Sequence, residues 1–142
     1  LATIVIPRLS NASQVACENT LKEDLRYMRT QIQVYRFQHN EVMPGRSGAG
    51  YDADTFRQQM TLPTDISGNV GSPGDPDYPY GPYLRRLPVN PMNNKSSVQV
   101  VNGSGELPDP DNSHGWMYQP ETNAFVADTP GVDEAGVAYV NY

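Results

Sequence analysis

Apolar residues recur through the first third of the chain at the spacing of one helix face. Cys17, Leu21, Leu25, Met28, Ile32 and Tyr35 follow one another at intervals of 4, 4, 3, 4 and 3 residues, which places them in a single stripe at 3.6 residues per turn. Lys22, Glu23, Asp24, Arg26, Arg29 and Arg36 fall between them and form a solvated face. Glu18 and Lys22 stand in the favourable acid-before-base i,i+4 order, contributing ~0.3 kcal/mol. Residues 1–39 contain no glycine and one proline, Pro7, so the pattern predicts one long helix from residue 1 to about 39. Pro7 lacks a backbone donor and crowds the carbonyl of Thr3, at ~3 kcal/mol in a soluble helix interior. It therefore kinks the helix, or marks its first turn and leaves residues 1–6 as a separate apolar arm. Leu1–Ile6 is apolar from its first residue and too short to cross a bilayer, the pattern of the tail of a longer hydrophobic stretch.

Beyond residue 39 the helical period is lost. His39 is placed at the helix end, where a cation meets the negative end of the dipole. Met43-Pro44-Gly45 closes this region, and Gly45–Gly50 reads as a flexible connection. Asp52 can cap a short helix over about 53–60 with Phe56 and Met60 as its buried face. Residues 65–77 are nearly all turn formers, with Tyr78, Tyr80 and Tyr83 following to pin them to the body. Ser97–Val101 is a β-branched strand, residues 103–113 a second turn-rich loop, and 115–119, 120–123 and 124–127 a strand, turn and strand. The end, 136–142, is an edge strand or a packed tail.

Together these elements predict an α+β fold, a long N-terminal helix packed on a small antiparallel sheet with extended loops. It forms one domain, with the helix over 1–40 and a globular head over 41–142. Trp116 and Tyr118 alternate onto one sheet face. Core packing against Leu21, Leu25, Met28, Ile32 and Tyr35 is favoured there over an exposed platform for a sugar or a partner.

Composition sharpens this picture. A chain of 142 residues suits one domain with a modest core. Ten basic against 16 acidic residues give a net charge of −6; no basic stripe is available to neutralise phosphates, which argues against a nucleic-acid partner. Twelve glycines and 13 prolines account for the long loops. Cys17, the single cysteine, forms no intrachain disulfide and reads as a small apolar helix residue. The chain has no Gly-x-Ser-x-Gly, no Gly-rich phosphate loop and no His-Glu-x-x-His, and His39 and His114 lack a third ligand at zinc spacing. No motif frames an enzyme. Asp109, Asp111, Asp128, Asp133 and Glu134 cluster late, and Asp109-Pro-Asp111-Asn-Ser113 offers the closely spaced oxygens a hard cation prefers, or merely solvated carboxylates. Asp75 and Asp77 are a weaker instance. Arg85-Arg86 is either a positive spot for a neighbour's carboxylates or a solvated loop.

Three segments, in order, resemble the type IV pilin and type II secretion major pseudopilin family. Leu1–Ser10 is similar to the end of the family's hydrophobic helix, with Pro7 as its kinking proline. Asp24–Asn40 followed by Met43-Pro44 resembles the helix end of major pseudopilins. Gly81-Pro-Tyr-Leu-Arg-Arg-Leu-Pro-Val-Asn-Pro91 with Gly115-Trp-Met-Tyr-Gln-Pro-Glu-Thr-Asn123 is similar to the family's Gly-Pro-Tyr-Leu loop and Gly-Trp-x-Tyr hairpin. The family's processed and methylated start, with its assembly glutamate, would lie upstream of Leu1, and the paired C-terminal cysteines of many type IVa pilins are absent.

The resemblance implies a non-enzymatic subunit of an extracytoplasmic filament in the bacterial cell envelope. Such a subunit is held in the inner membrane, then moves through an assembly platform into a helical homopolymer, as a periplasmic pseudopilus or an extracellular pilus. Leu1, Ile4, Val5, Ile6, Pro7 and Leu9 would line the filament core. Calcium, held by major pseudopilins in the loops of this region, would fall to Asp109, Asp111 and Asp128. The competing classes are a minor pilin or adhesin at a filament tip, binding through loops 65–80 and 103–114, and a secreted hydrolase with a deep acidic pocket.

Overall fold

The computed structural model describes residues 11–142; the expected filament-core residues Leu1, Ile4, Val5, Ile6, Pro7 and Leu9 lie outside them. The first helix, α1, spans Asn11–Gln38 and buries Leu21, Leu25, Met28, Ile32 and Tyr35, the predicted stripe, while Cys17 at its start is only half-buried. Glu18 is buried on the same face because its carboxylate accepts from the Tyr139 hydroxyl at 2.9 Å and the Gln14 amide at 3.2 Å. The predicted Glu18–Lys22 pair is therefore replaced. Lys22 sits over the ring of Tyr142, 4.4 Å from its centroid, so both charges serve the C-terminal segment instead of each other.

His39 also departs from expectation. It is buried, its ring stacks on Tyr35 at 3.7 Å, and Nδ1 lies 2.7 Å from the Tyr35 carbonyl. A carbonyl only accepts, so Nδ1 carries the proton and Nε2 faces the Thr64 hydroxyl at 2.9 Å. His39 does meet the last turn of α1, but from inside the head and not as a solvated cation.

Residues 45–50 are ordered, in place of the flexible connection. Arg46–Ser47 (β1) and Gly50–Tyr51 (β2) form a small antiparallel hairpin. The Asn102 side chain ties it down, accepting from Tyr51 N at 2.8 Å and donating to Tyr51 O at 3.0 Å. The second helix, α2, spans Ala53–Thr61 and is capped by Asp52, whose Oδ1 accepts from Thr55 N at 2.8 Å. Phe56 and Met60 are fully buried, as the spacing predicted. The turn-rich stretch after α2 is fastened at several points. Thr64 and Tyr80 exchange backbone hydrogen bonds of 2.8 and 3.1 Å. Gly71 lies so close to the Tyr78 ring that a Cβ would come within 2.2 Å of it.

The main sheet has the order β3-β4-β5, with β3 at Val98–Val100, β4 at Trp116–Gln119 and β5 at Ala124–Ala127. β4 and β5 form the predicted antiparallel hairpin, turning through a short 3₁₀ segment at Pro120–Thr122 and a left-handed Asn123. β3, however, runs parallel to β4, pairing Val98 with Trp116. A purely antiparallel sheet does not form, because residues 101–115 are long enough to return the chain to the end where β3 began. The end of the chain is a packed tail with a 3₁₀ turn at Tyr139–Asn141.

α1 crosses β5. Arg29 grips the Phe125 carbonyl with Nε at 3.0 Å and Nη2 at 2.8 Å, and Gln33 donates to the Asn123 side chain at 2.7 Å. Between helix and sheet lie Trp116, Tyr118, Phe125 and Phe56, with the Phe56 and Tyr118 rings 4.6 Å apart and Trp116 and Phe125 5.5 Å apart. Trp116 and Tyr118 are thus core residues, as expected, each worth roughly 1.5–3 kcal/mol in buried apolar area. Met117 and Gln119, on the other face of β4, are buried as well. Gln119 donates to the Gly105 carbonyl, which brings the 101–115 connection over that face.

Candidate functional site

Two places gather the residues singled out in the sequence. The first is the connection 101–115 where it meets the end of β5. Asp128 is fully buried there. Its Oδ1 accepts from Asp111 N at 2.7 Å, and its Oδ2 accepts from His114 N at 2.8 Å and the Ser113 hydroxyl at 3.2 Å. Asp111 repeats the arrangement on a smaller scale, accepting from Ser113 N at 2.9 Å. Hydrogen bonds from the Ser113 side chain and backbone hold the exposed Asp111 carboxyl below its ordinary range.

Several carbonyls around this site are also occupied. Asn93 Nδ2 donates to His114 O at 2.8 Å and Asp128 O at 3.1 Å, and the Lys95 ammonium donates to Asn112 O. Asn90, buried beside it, reaches Gly115 O and Thr129 Oγ1. Of the three expected calcium ligands, the structure joins Asp111 to Asp128 through a backbone N–H, while Asp109 has an exposed side chain. Among the described residues, no three His, Cys, Asp or Glu side chains are grouped to hold a metal ion. Calcium binds about 6–8 oxygens with free lone pairs; here N–H dipoles point at the Asp128 carboxylate, and donors already reach the Asn112, His114 and Asp128 carbonyls. The residues do not fit the ion.

The second place is the side of α1 turned away from the core. Helical geometry puts Tyr27, Val34 and Phe37 on this side, and they are 53%, 38% and 82% exposed. Tyr27 also borders a hollow of about 420 Å³ that Arg85 and Arg86 line, and the two arginines continue into a concavity of about 440 Å³ with Arg57, Leu87 and Val89. Arg57 is paired with Asp54 at 2.6 Å. Among the described residues, every other lysine and arginine has a carboxylate, a carbonyl or an aromatic ring in its own chain; Arg85 and Arg86 have none.

The largest displaced ionisations belong to tyrosines. Burial raises Tyr35 and Tyr118 well above the ordinary phenol value and pushes Tyr83 up to about 12. Tyr142 is also raised, by desolvation and then by donating to Asp133 at 2.7 Å. These groups sit in the helix–head core or in the packed tail itself. Sequence reasoning missed Asn93 and Lys95; the dense Asn90–Lys95 stretch was the available signal, but their targets are 17–35 residues away.

No family model, curated protein or solved structure matches this chain.

Proposed function

We propose that this chain is a structural subunit of an extracytoplasmic filament, of the type IV pilus or type II secretion pseudopilus kind, with a pilin fold and no catalytic role. It polymerises through its N-terminal helix into copies of itself after residing in the inner membrane and passing through an assembly platform. The observation that carries this reading is the division of α1 between two uses. One face is fully engaged by the head, while the opposite face leaves Tyr27, Val34 and Phe37 to solvent beside two unpartnered arginines. Isolated exposed apolar residues are ordinary, but a row along one helix next to unneutralised charge suits a surface that a neighbour covers. The apolar sequence Leu1–Leu9 precedes this helix and supplies the side chains for a filament core.

Electron microscopy of sheared surface and periplasmic fractions, with mass identification of the polymer, tests the reading. Filaments in which this chain is the abundant repeating component are expected. Its presence only at filament ends would favour the tip adhesin instead, and its presence only as a soluble monomer would overturn the filament reading.

A further inference from the structure

We infer that the 101–115 connection is closed by charges of the chain itself, the buried Asp128 carboxylate and the Lys95 ammonium, and takes no calcium ion. The polarity of the loop is inverted relative to a cation site. Three donors from residues 111–114 converge on an anion, and Lys95 and Asn93 donate to the Asn112, His114 and Asp128 carbonyls. A divalent ion placed at Asp128 would lie against the positive ends of the Asp111 and His114 N–H dipoles. Binding it would require those hydrogen bonds to be given up inside a buried site.

The closure has a structural consequence. The connection returns the chain to β3, where Gly115 N and Trp116 N both donate to Ser97 O at 2.9 and 3.1 Å. Gly115 passes so near the Lys95 carbonyl that a Cβ would sit 2.2 Å from its oxygen. Asp128, one residue past β5, thereby fixes where β4 begins and so the parallel register of Val98 with Trp116. The inference concerns the head alone and stands whether or not the chain forms filaments.

Calorimetric titration of the full-length protein with CaCl₂, and its Tm in CaCl₂ and in chelator, test it. No saturable binding and the same Tm are expected. Asp128→Asn, which keeps the volume but removes the charge, is expected to lower Tm by ~5–10 °C equally in both buffers. Lys95→Met is expected to lower it less. Stoichiometric calcium binding by the wild type, or a Tm raised several degrees by calcium, overturns the inference. So does an Asp128→Asn protein as stable as wild type. If that variant does not fold, the wild-type titration decides alone.

Discussion

The two sides of α1 are built from the same 28 residues but face different surroundings. On the inner side Leu21, Leu25, Met28, Ile32 and Tyr35 meet an aromatic sheet face, and Arg29 and Gln33 at its margin hold β5 and the turn before it. On the outer side Tyr27, Val34 and Phe37 meet solvent in the single chain. Contacts completed within one chain contribute to its folding free energy; surfaces left incomplete contribute only when a second molecule arrives. On the proposed filament reading, stability and assembly are then separable, and substitutions on the two sides should move different observables.

The broadest way to break the inner side is alkaline pH, because it acts on several groups together. Tyr35, Tyr83, Tyr118, Tyr139 and Tyr142 all have folded pKa values raised above the ordinary phenol value of about 10. The unfolded chain loses these protons first. The stabilisation is therefore complete below about pH 10 and falls as pH rises above it, chiefly through the core residues Tyr35 and Tyr118, with less from the more solvent-screened Tyr139 and Tyr142. Denaturant midpoints measured across this range, with phenolate absorbance in parallel, should show the two changes together.

Trp116→Ala should cost ~3–5 kcal/mol by removing the largest side chain between helix and sheet, seen as a lower urea midpoint with a similar slope. Arg29→Ala should cost ~1.5–3 kcal/mol, since it removes a charged double donor from the Phe125 carbonyl. The smallest effect on folding belongs to Phe37→Ser on the outer side, within ~0.5 kcal/mol. That variant should nevertheless reduce the yield of sheared filaments. A Phe37→Ser protein that unfolds like Trp116→Ala would erase the distinction between the sides.

The parts of this architecture legible in the sequence were those set by neighbours a few residues apart. The α1 stripe, the Asp52 cap with Phe56 and Met60 behind it, and the β4–β5 hairpin each follow from local period or turn chemistry. The parallel pairing of β3 with β4 was not legible, because it depends on where a long connection returns. His39 looked like a helix terminus because nothing local announces Thr64 at its Nε2. Asp128 looked like one of several acids on a calcium loop; only folding shows that backbone N–H groups from 111–114 already donate to it. The unpartnered state of Arg85 and Arg86 likewise emerges only once every other described cation is seen to have a partner.

On the proposed reading, sister molecules cover the outer side of α1. A Cys17→Ala, Phe37→Cys protein would place one thiol on that side, and its reaction with a water-soluble maleimide can be followed in two states. In detergent-extracted subunits the thiol should label readily, and in sheared surface or periplasmic material it should be strongly protected until the polymer is dissociated. Equal labelling in the two states would show that this side of the helix has no neighbour, and the filament reading would fail.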